Sequence, residues 1–119
     1  MNEYLRKIGL IEGVDTREGM DNTAQDIEFY LEIVRDYIEE VPVSELKSTY
    51  DARDWKGYQL NAHKIKSSSY TIGAKLIGDE AKEIESSVKD NDLEFIESHH
   101  QKFLDDVENL LERLKEAVA

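Results

Sequence analysis

An imidazole, an ammonium and a small hydroxyl fall within five consecutive positions of this chain, at His63, Lys66 and Ser67. Unperturbed histidine titrates near ~6.5, so its neutral form is a nucleophile around neutral pH and needs no separate base. An ammonium one helical turn along can neutralise an anionic group carried on such a nitrogen. An exposed imidazole beside a cation is a place to hold a phosphoryl group.

The surrounding pattern says where that imidazole points. Trp55, Tyr58, Ala62, Ile65, Ser69 and Ile72 recur at three- and four-residue spacing, the stripe of an amphipathic α-helix. At ~100° per residue, His63 lies roughly 130° from the centre of that stripe. Its neighbours on the outer face are Lys56, Gln59, Leu60, Lys66, Ser67 and Tyr70. His63 is therefore expected to meet solvent, and a purely packing role does not suit its phase.

The bulk properties fit a small helical protein. At 119 residues the chain suits one domain with one core, and 39% hydrophobic with 35% charged residues suits amphipathic helices with charged outer faces. One proline and six glycines are too few for an all-β fold rich in turns. A net charge of −12 argues against nucleic acid and against anionic membrane surfaces, and makes proteins the expected partners. No run reaches the ~18 apolar residues of a membrane span, and no secretory signal is expected from the N-terminal residues. With no cysteine there is neither a disulfide framework nor a thiolate metal site, so the cytoplasm is the expected compartment.

Along the chain, Tyr4, Leu5, Ile8, Leu10, Ile11 and Val14 form a lead-in over residues 1–14 that packs as a short lid. Asp15-Thr16-Arg17-Glu18 has capping-box spacing and opens a short helix that Gly19 weakens. Thr23 is expected to cap a longer helix with the stripe Ile27, Leu31, Val34, Ile38 and Val41, ended or bent at Pro42. Val43, Leu46 and Tyr50 mark a stretch over 43–52, and Asp54 is the expected N-cap of the helix carrying His63. Gly73 stands where that helix turns. A helix over 74–89 buries Ile77, Ala81, Ile84 and Val88. Asn91-Asp92-Leu93-Glu94 opens a last helix over 92–117, with Leu93, Ile96, Phe103, Val107, Leu110 and Leu114 as its stripe, broadened by Leu104 and Leu111. Short connections between long helices predict an all-α, antiparallel up-and-down four-helix bundle with a short extra N-terminal helix. Residues 1–119 are expected to form a single domain, with the bundle over about 15–118.

The segment from His63 to Ala74, His-Lys-Ile-Lys-Ser-Ser-Ser-Tyr-Thr-Ile-Gly-Ala, resembles the signature of histidine phosphotransfer (HPt) domains, and the likeness continues with Ile77, Ala81, Ile84 and Glu85. Upstream, Gly13-Val14-Asp15, Tyr30-Leu31 and Asp54-Trp55 also fit, so the resemblance covers roughly 13–118. It implies a four-helix bundle and a phosphorelay intermediate. His63 would be phosphoryl acceptor and donor, Lys66 the cation near the phosphoryl oxygens, and Gly73 the turn out of the helix. The implied partners are receiver domains of response regulators or hybrid histidine kinases, with the aspartate and Mg²⁺ on the receiver and no cofactor on this chain. One position departs from the family: Ser67 stands where glycine usually follows the lysine. Serine there adds a hydrogen-bonding group that can meet the phosphoryl group or narrow the partner's approach.

The docking surface is expected around Leu60, Lys64, Ser67 and Tyr70, with Leu60 a large apolar side chain on an otherwise polar face. There is no P-loop and no kinase glycine loop, so a phosphocarrier is expected rather than an enzyme that phosphorylates itself. The adjacent pair His99-His100, with Glu97 nearby, points its side chains ~100° apart, so no metal site is expected. Ser68 and Ser69 are read as small residues that let helices approach, and Trp55 and Tyr58 as core. Two alternatives stand beside the relay reading: a phosphotransfer segment of a larger histidine kinase, and a helical interaction module without transfer. The stripes can satisfy one another within one bundle, so a monomer is expected.

Overall fold

In the computed structural model, which describes residues 2–119, the described chain folds into seven α-helices. They are α1 (Glu3–Gly9), α2 (Thr16–Asn22), α3 (Ile27–Glu40), α4 (Val43–Asp51), α5 (Trp55–Thr71), α6 (Lys75–Lys89) and α7 (Leu93–Val118). Five open on an Asn or Asp whose side chain accepts from a first-turn N–H: Asn2, Asp15, Asp26, Asp54 and Asp92. Each such cap satisfies an N–H that the helix itself leaves without a partner.

Three connections share one design. After α4, α5 and α6 the chain turns left-handed at Arg53, Gly73 and Asn91, with φ of 56°, 85° and 55°. In each, the next N–H bonds back into the last helical turn: Asp54 to Thr49, Ala74 to Ser69 and Asp92 to Ser87, at 2.8–2.9 Å. The following helix starts at once, so α5–α6 and α6–α7 are forced into antiparallel hairpins. At Gly73 glycine is obligatory on two counts, because a Cβ would also sit 2.0 Å from the carbonyl oxygen of Asp15.

Four columns result. Pro42 separates α3 from α4, and the ion pairs Lys47–Glu108 and Arg53–Glu97 set α4 antiparallel to α7. The 26-residue α7 also packs against α3, so the column of α3 and α4 together runs alongside it. With α5 and α6 this makes the up-and-down bundle, and α1 and α2 close one end against α7 and α5. The end is latched by Asp15 N–H donating to Gly73 O at 2.8 Å and by a bridge between Val14 and Ala74.

The core bears out most of the periodicity and corrects some of it. Tyr58, Ala62 and Ile65 of α5 and Ile72 at its C-cap are fully buried, as are Ile96, Val107 and Leu114 of α7. Truncating Ile65 to alanine there would cost roughly 2–5 kcal/mol. On α3, Tyr30 and Tyr37 are buried, whereas Ile27, Ile38 and Val41 are only half-buried. The apolar stripe is rotated because both tyrosines find polar partners on α5: Tyr30 Oη donates to Ile72 O, and Tyr37 Oη pairs with Ser69 Oγ, each at 2.8 Å. Thr23 does not cap α3; it is buried, with Oγ1 donating to Gly19 O, and Asp26 is the cap. Leu93 is exposed and Trp55 half-exposed, the latter stacked edge-on against Tyr50 at the bundle surface. The lead-in itself contains a helix, α1, and α2 runs through Gly19.

Candidate functional site

His63 sits near the middle of α5, on its outer face, with its side chain about half exposed (51%). Its ring does not hang free. Nδ1 lies 2.7 Å from Glu85 Oε2 on α6, and the other carboxylate oxygen, Oε1, accepts from Lys66 Nζ at 2.6 Å. The antiparallel hairpin brings these groups together across 22 residues of sequence. One carboxylate thus holds both the imidazole and the ammonium.

Glu85 is nearly buried, with 7% of its side chain exposed. Burial pushes its carboxyl pKa up, but the hydrogen bonds and charges of Lys66 and His63 outweigh that and hold it below the usual glutamate value. The group is therefore an ionised carboxylate and only accepts hydrogen bonds. Nδ1 of His63 must carry the proton it donates to Glu85. In the neutral ring that leaves the lone pair on Nε2, away from α6. The outward phase of the helix and the Glu85 contact together choose which nitrogen is turned away from α6.

The other residues expected at the site divide into two groups. Leu60, Lys64 and Ser67 are exposed along the same face of α5, and Leu60 shows 54% of its surface. Tyr70 is half-buried instead: its ring covers Gly78, where a Cβ would lie 2.4 Å from Tyr70 Cε1, and its hydroxyl donates to Asp79 Oδ1 at 2.7 Å. Gly78 is the small residue that lets this tyrosine lie flat across α6. Gly73 occupies the turn out of α5. Ser68 and Ser69, read as spacers, are both hydrogen-bonded, to Lys64 O and to Tyr37 respectively.

The sequence pattern included Glu85 without seeing its task. The signal was present: Ile77, Ala81, Ile84 and Val88 define the inward face of α6, and Glu85 falls in phase with them. A carboxylate on an apolar face needs a partner, because burying it alone is costly.

Away from this face, His100 is buried in α7, 2.7 Å from Tyr58 Oη at Nδ1 and stacked on Tyr50 with ring centroids 3.6 Å apart. His99 is exposed and stacks on Phe95. No group of three or more His, Cys, Asp or Glu is gathered to hold a metal ion among the described residues. A groove of about 520 Å³ lies between the lead-in and α6–α7, lined by Leu10, Leu76, Glu80, Lys102 and Leu110. It opens on a different side of α6 from Glu85. Burial and the neighbouring Asp106 carboxylate push the Glu80 carboxyl up to about 7, against the opposing pull of Lys102. No described helix is long and apolar enough to cross a membrane.

Comparison with known proteins gives one family and one relative. The family model described as "Hpt domain" matches residues 24–117. The chain is also similar to a Dictyostelium discoideum protein described as "Phosphorelay intermediate protein rdeA", at 32% identity over 98 residues. That match covers 81% of this chain and 39% of the relative, so this chain spans about two fifths of that protein's length. No solved structure matches the chain.

Proposed function

The chain belongs to the Hpt domain family, and from that premise we propose that it is a phosphorelay intermediate, in which His63 takes a phosphoryl group from an aspartate of one receiver domain and passes it to another. The observation that carries the reading is the half-exposed His63 ring tied through Nδ1 to a buried, ionised Glu85.

The chemistry follows from that tie. The Nε2 lone pair attacks phosphorus of the aspartyl phosphate; the N–P bond forms as the P–O bond breaks, and the electron pair leaves on the aspartate carboxylate. No proton has to move, because Nδ1 already holds one and the ring becomes cationic. Glu85 stabilises that charge at 2.7 Å, as a buried carboxylate does for a developing imidazolium. The reverse displacement returns the phosphoryl group to a second aspartate. Phosphoryl transfer is largely positioning and charge stabilisation, and both are supplied here by a rigid helix and by Lys66. In the resting chain Lys66 is engaged by Glu85; an incoming phosphoryl group competes for the same ammonium.

On this reading Leu60, Lys64, Ser67 and Tyr70 frame the docking face, and the Mg²⁺ belongs to the acidic site of the receiver. The carrier acts in the cytoplasm as a single copy, since the imidazole, its carboxylate and the ammonium all come from one chain. It carries the phosphoryl group and does not make it from a nucleotide.

The test is transfer from phosphorylated receiver domains. An acid-labile, base-stable phosphoryl group should form on the wild-type chain and be absent from His63→Gln. Retained labelling in His63→Gln removes the site assignment. Labelling from ATP and a kinase domain, with none from receivers, replaces the relay by a kinase segment.

A further inference from the structure

Among the hydroxyls on the C-terminal half of α5, that of Ser67 is without a hydrogen bond among the described residues. Ser68 Oγ donates to Lys64 O at 2.8 Å and Thr71 Oγ1 to Ser67 O at 2.9 Å. Ser69 Oγ pairs with Tyr37, and Tyr70 Oη is held by Asp79. A serine inside a helix commonly bonds back to the carbonyl four residues earlier, as Ser68 does. For Ser67 that carbonyl belongs to His63, and the bond is not made. The hydroxyl is exposed, unengaged, and on the face of the reactive ring. Residues four apart on a helix have their Cβ atoms about 5–6 Å from each other. That separation is spanned by an imidazole carrying a phosphoryl group on one side and a Cβ–Oγ bond on the other.

The phosphoryl group has three acceptor oxygens and up to two negative charges. Lys66, the nearest ammonium, is shared with Glu85 at 2.6 Å. On this turn of α5 the donors that need not first leave a partner are the Ser67 hydroxyl and the exposed Lys64 ammonium, and Ser67 is the one that lies a full turn from His63 on its own helical face.

We infer that Ser67 is a phosphoryl-contacting residue, its Oγ–H donating to an oxygen of the group carried on His63 Nε2. The inference rests on the relay reading above. It makes this chain a carrier that holds its phosphoryl group, because the added donor stabilises the charged form and has no counterpart in the unphosphorylated ring. The contact exists only while the phosphoryl group is carried on His63 Nε2, and it is lost when the group leaves to water or to a receiver, so it favours the bound form over the departed one.

Ser67→Ala removes the hydroxyl while keeping the Cβ, at an exposed helical position where alanine is well tolerated. Ser67→Gly removes both, and Ser68→Ala removes a hydroxyl already bonded to the backbone. Wild type and variants are charged with phosphoramidate, and the lifetime of the phosphohistidine and its ³¹P chemical shift are measured. The partition of phosphoryl between His63 and a receiver aspartate is measured at equilibrium. Ser67→Ala and Ser67→Gly are expected to shorten the lifetime and shift the partition toward the receiver, each roughly tenfold, the size of one charge-assisted hydrogen bond. Both should move the ³¹P signal, and Ser68→Ala should match wild type. Unchanged lifetime and partition in Ser67→Ala would overturn the inference, as would faster transfer in Ser67→Gly with partition unaltered, which is steric relief alone. Failure of wild type to take label at His63 would instead remove the relay reading on which it stands.

Discussion

Two histidines in this bundle are each held at Nδ1 by a hydrogen bond of 2.7 Å, yet they are placed for opposite ends. His63 meets a carboxylate and keeps half of its side chain in solvent. His100 meets a tyrosine hydroxyl and lies under the ring of Tyr50, almost wholly buried. A hydrogen bond to one nitrogen fixes a ring in both cases. What separates a reactive imidazole from a structural one is whether the other nitrogen can be reached, and whether the partner can stabilise a positive charge. Ionised Glu85 stabilises that charge directly. Around His100 burial dominates and disfavours the charged ring, with Asp51 only partly opposing it.

The largest expected effect lies at the partner of His63. Glu85→Ala should leave the bundle folded but slow phosphoryl uptake from a receiver by about 100-fold, since loss of an orienting partner typically costs 10–100-fold. Glu85→Gln, which still accepts from Nδ1–H but carries no charge, should fall between that variant and wild type in stopped-flow transfer assays. Equal rates for all three would break the comparison, because the carboxylate would then contribute nothing to the chemistry.

His100→Ala should do the reverse. Transfer is retained below the melting temperature, while chemical denaturation shows a loss of about 3 kcal/mol from the cavity and from Tyr58 left without its partner.

Smaller effects appear in the pH dependence, and here two groups act with opposite sign. His100 is held below the ordinary histidine value of 6.5 by burial, so the unfolded chain binds the proton more readily. Its contribution is present above that value and is lost as pH falls toward the folded pKa. Glu80 is pushed from 4.5 up to about 7, so its contribution is complete below 4.5 and is lost as pH rises through 7. Denaturation from pH 5 to 7 should therefore show a shallow net slope in wild type. Glu80→Gln should leave the His100 contribution standing alone, so that stability rises with pH across that range. In His100→Gln stability should fall with pH instead, and identical slopes in both variants would contradict the two assignments.

Much of the site was legible because helical phase is a local property. His63, Lys66, Ser67 and Leu60 follow from spacing along one helix, and the turn at Gly73 from the residue that adopts positive φ most readily. The caps at Asp15 and Asp54 lie at the expected helix starts, whereas Asn91, first residue of the expected capping box, turns left-handed and leaves the cap to Asp92. Readings failed where a side chain has two natures. Tyr30 and Tyr37 fill the core although each carries a hydroxyl, since α5 offers each an oxygen partner. Thr23 has the chemistry of a cap but enters the core, because Ala24 and Gln25 turn left-handed and hand the role to Asp26. Arg53 takes a left-handed turn that composition does not announce.

The amino-acid order alone determined that an imidazole, a cation and a hydroxyl would share the outer face of one helix, because 3.6 residues per turn makes that arithmetic. It did not determine which nitrogen of His63 is free, whether Lys66 is engaged, or that Ser67 is not. Those depend on a carboxylate arriving from the next helix, and only the packed hairpin, closed at Gly73 and seated on Gly78, sets Glu85 within 2.7 Å of the ring.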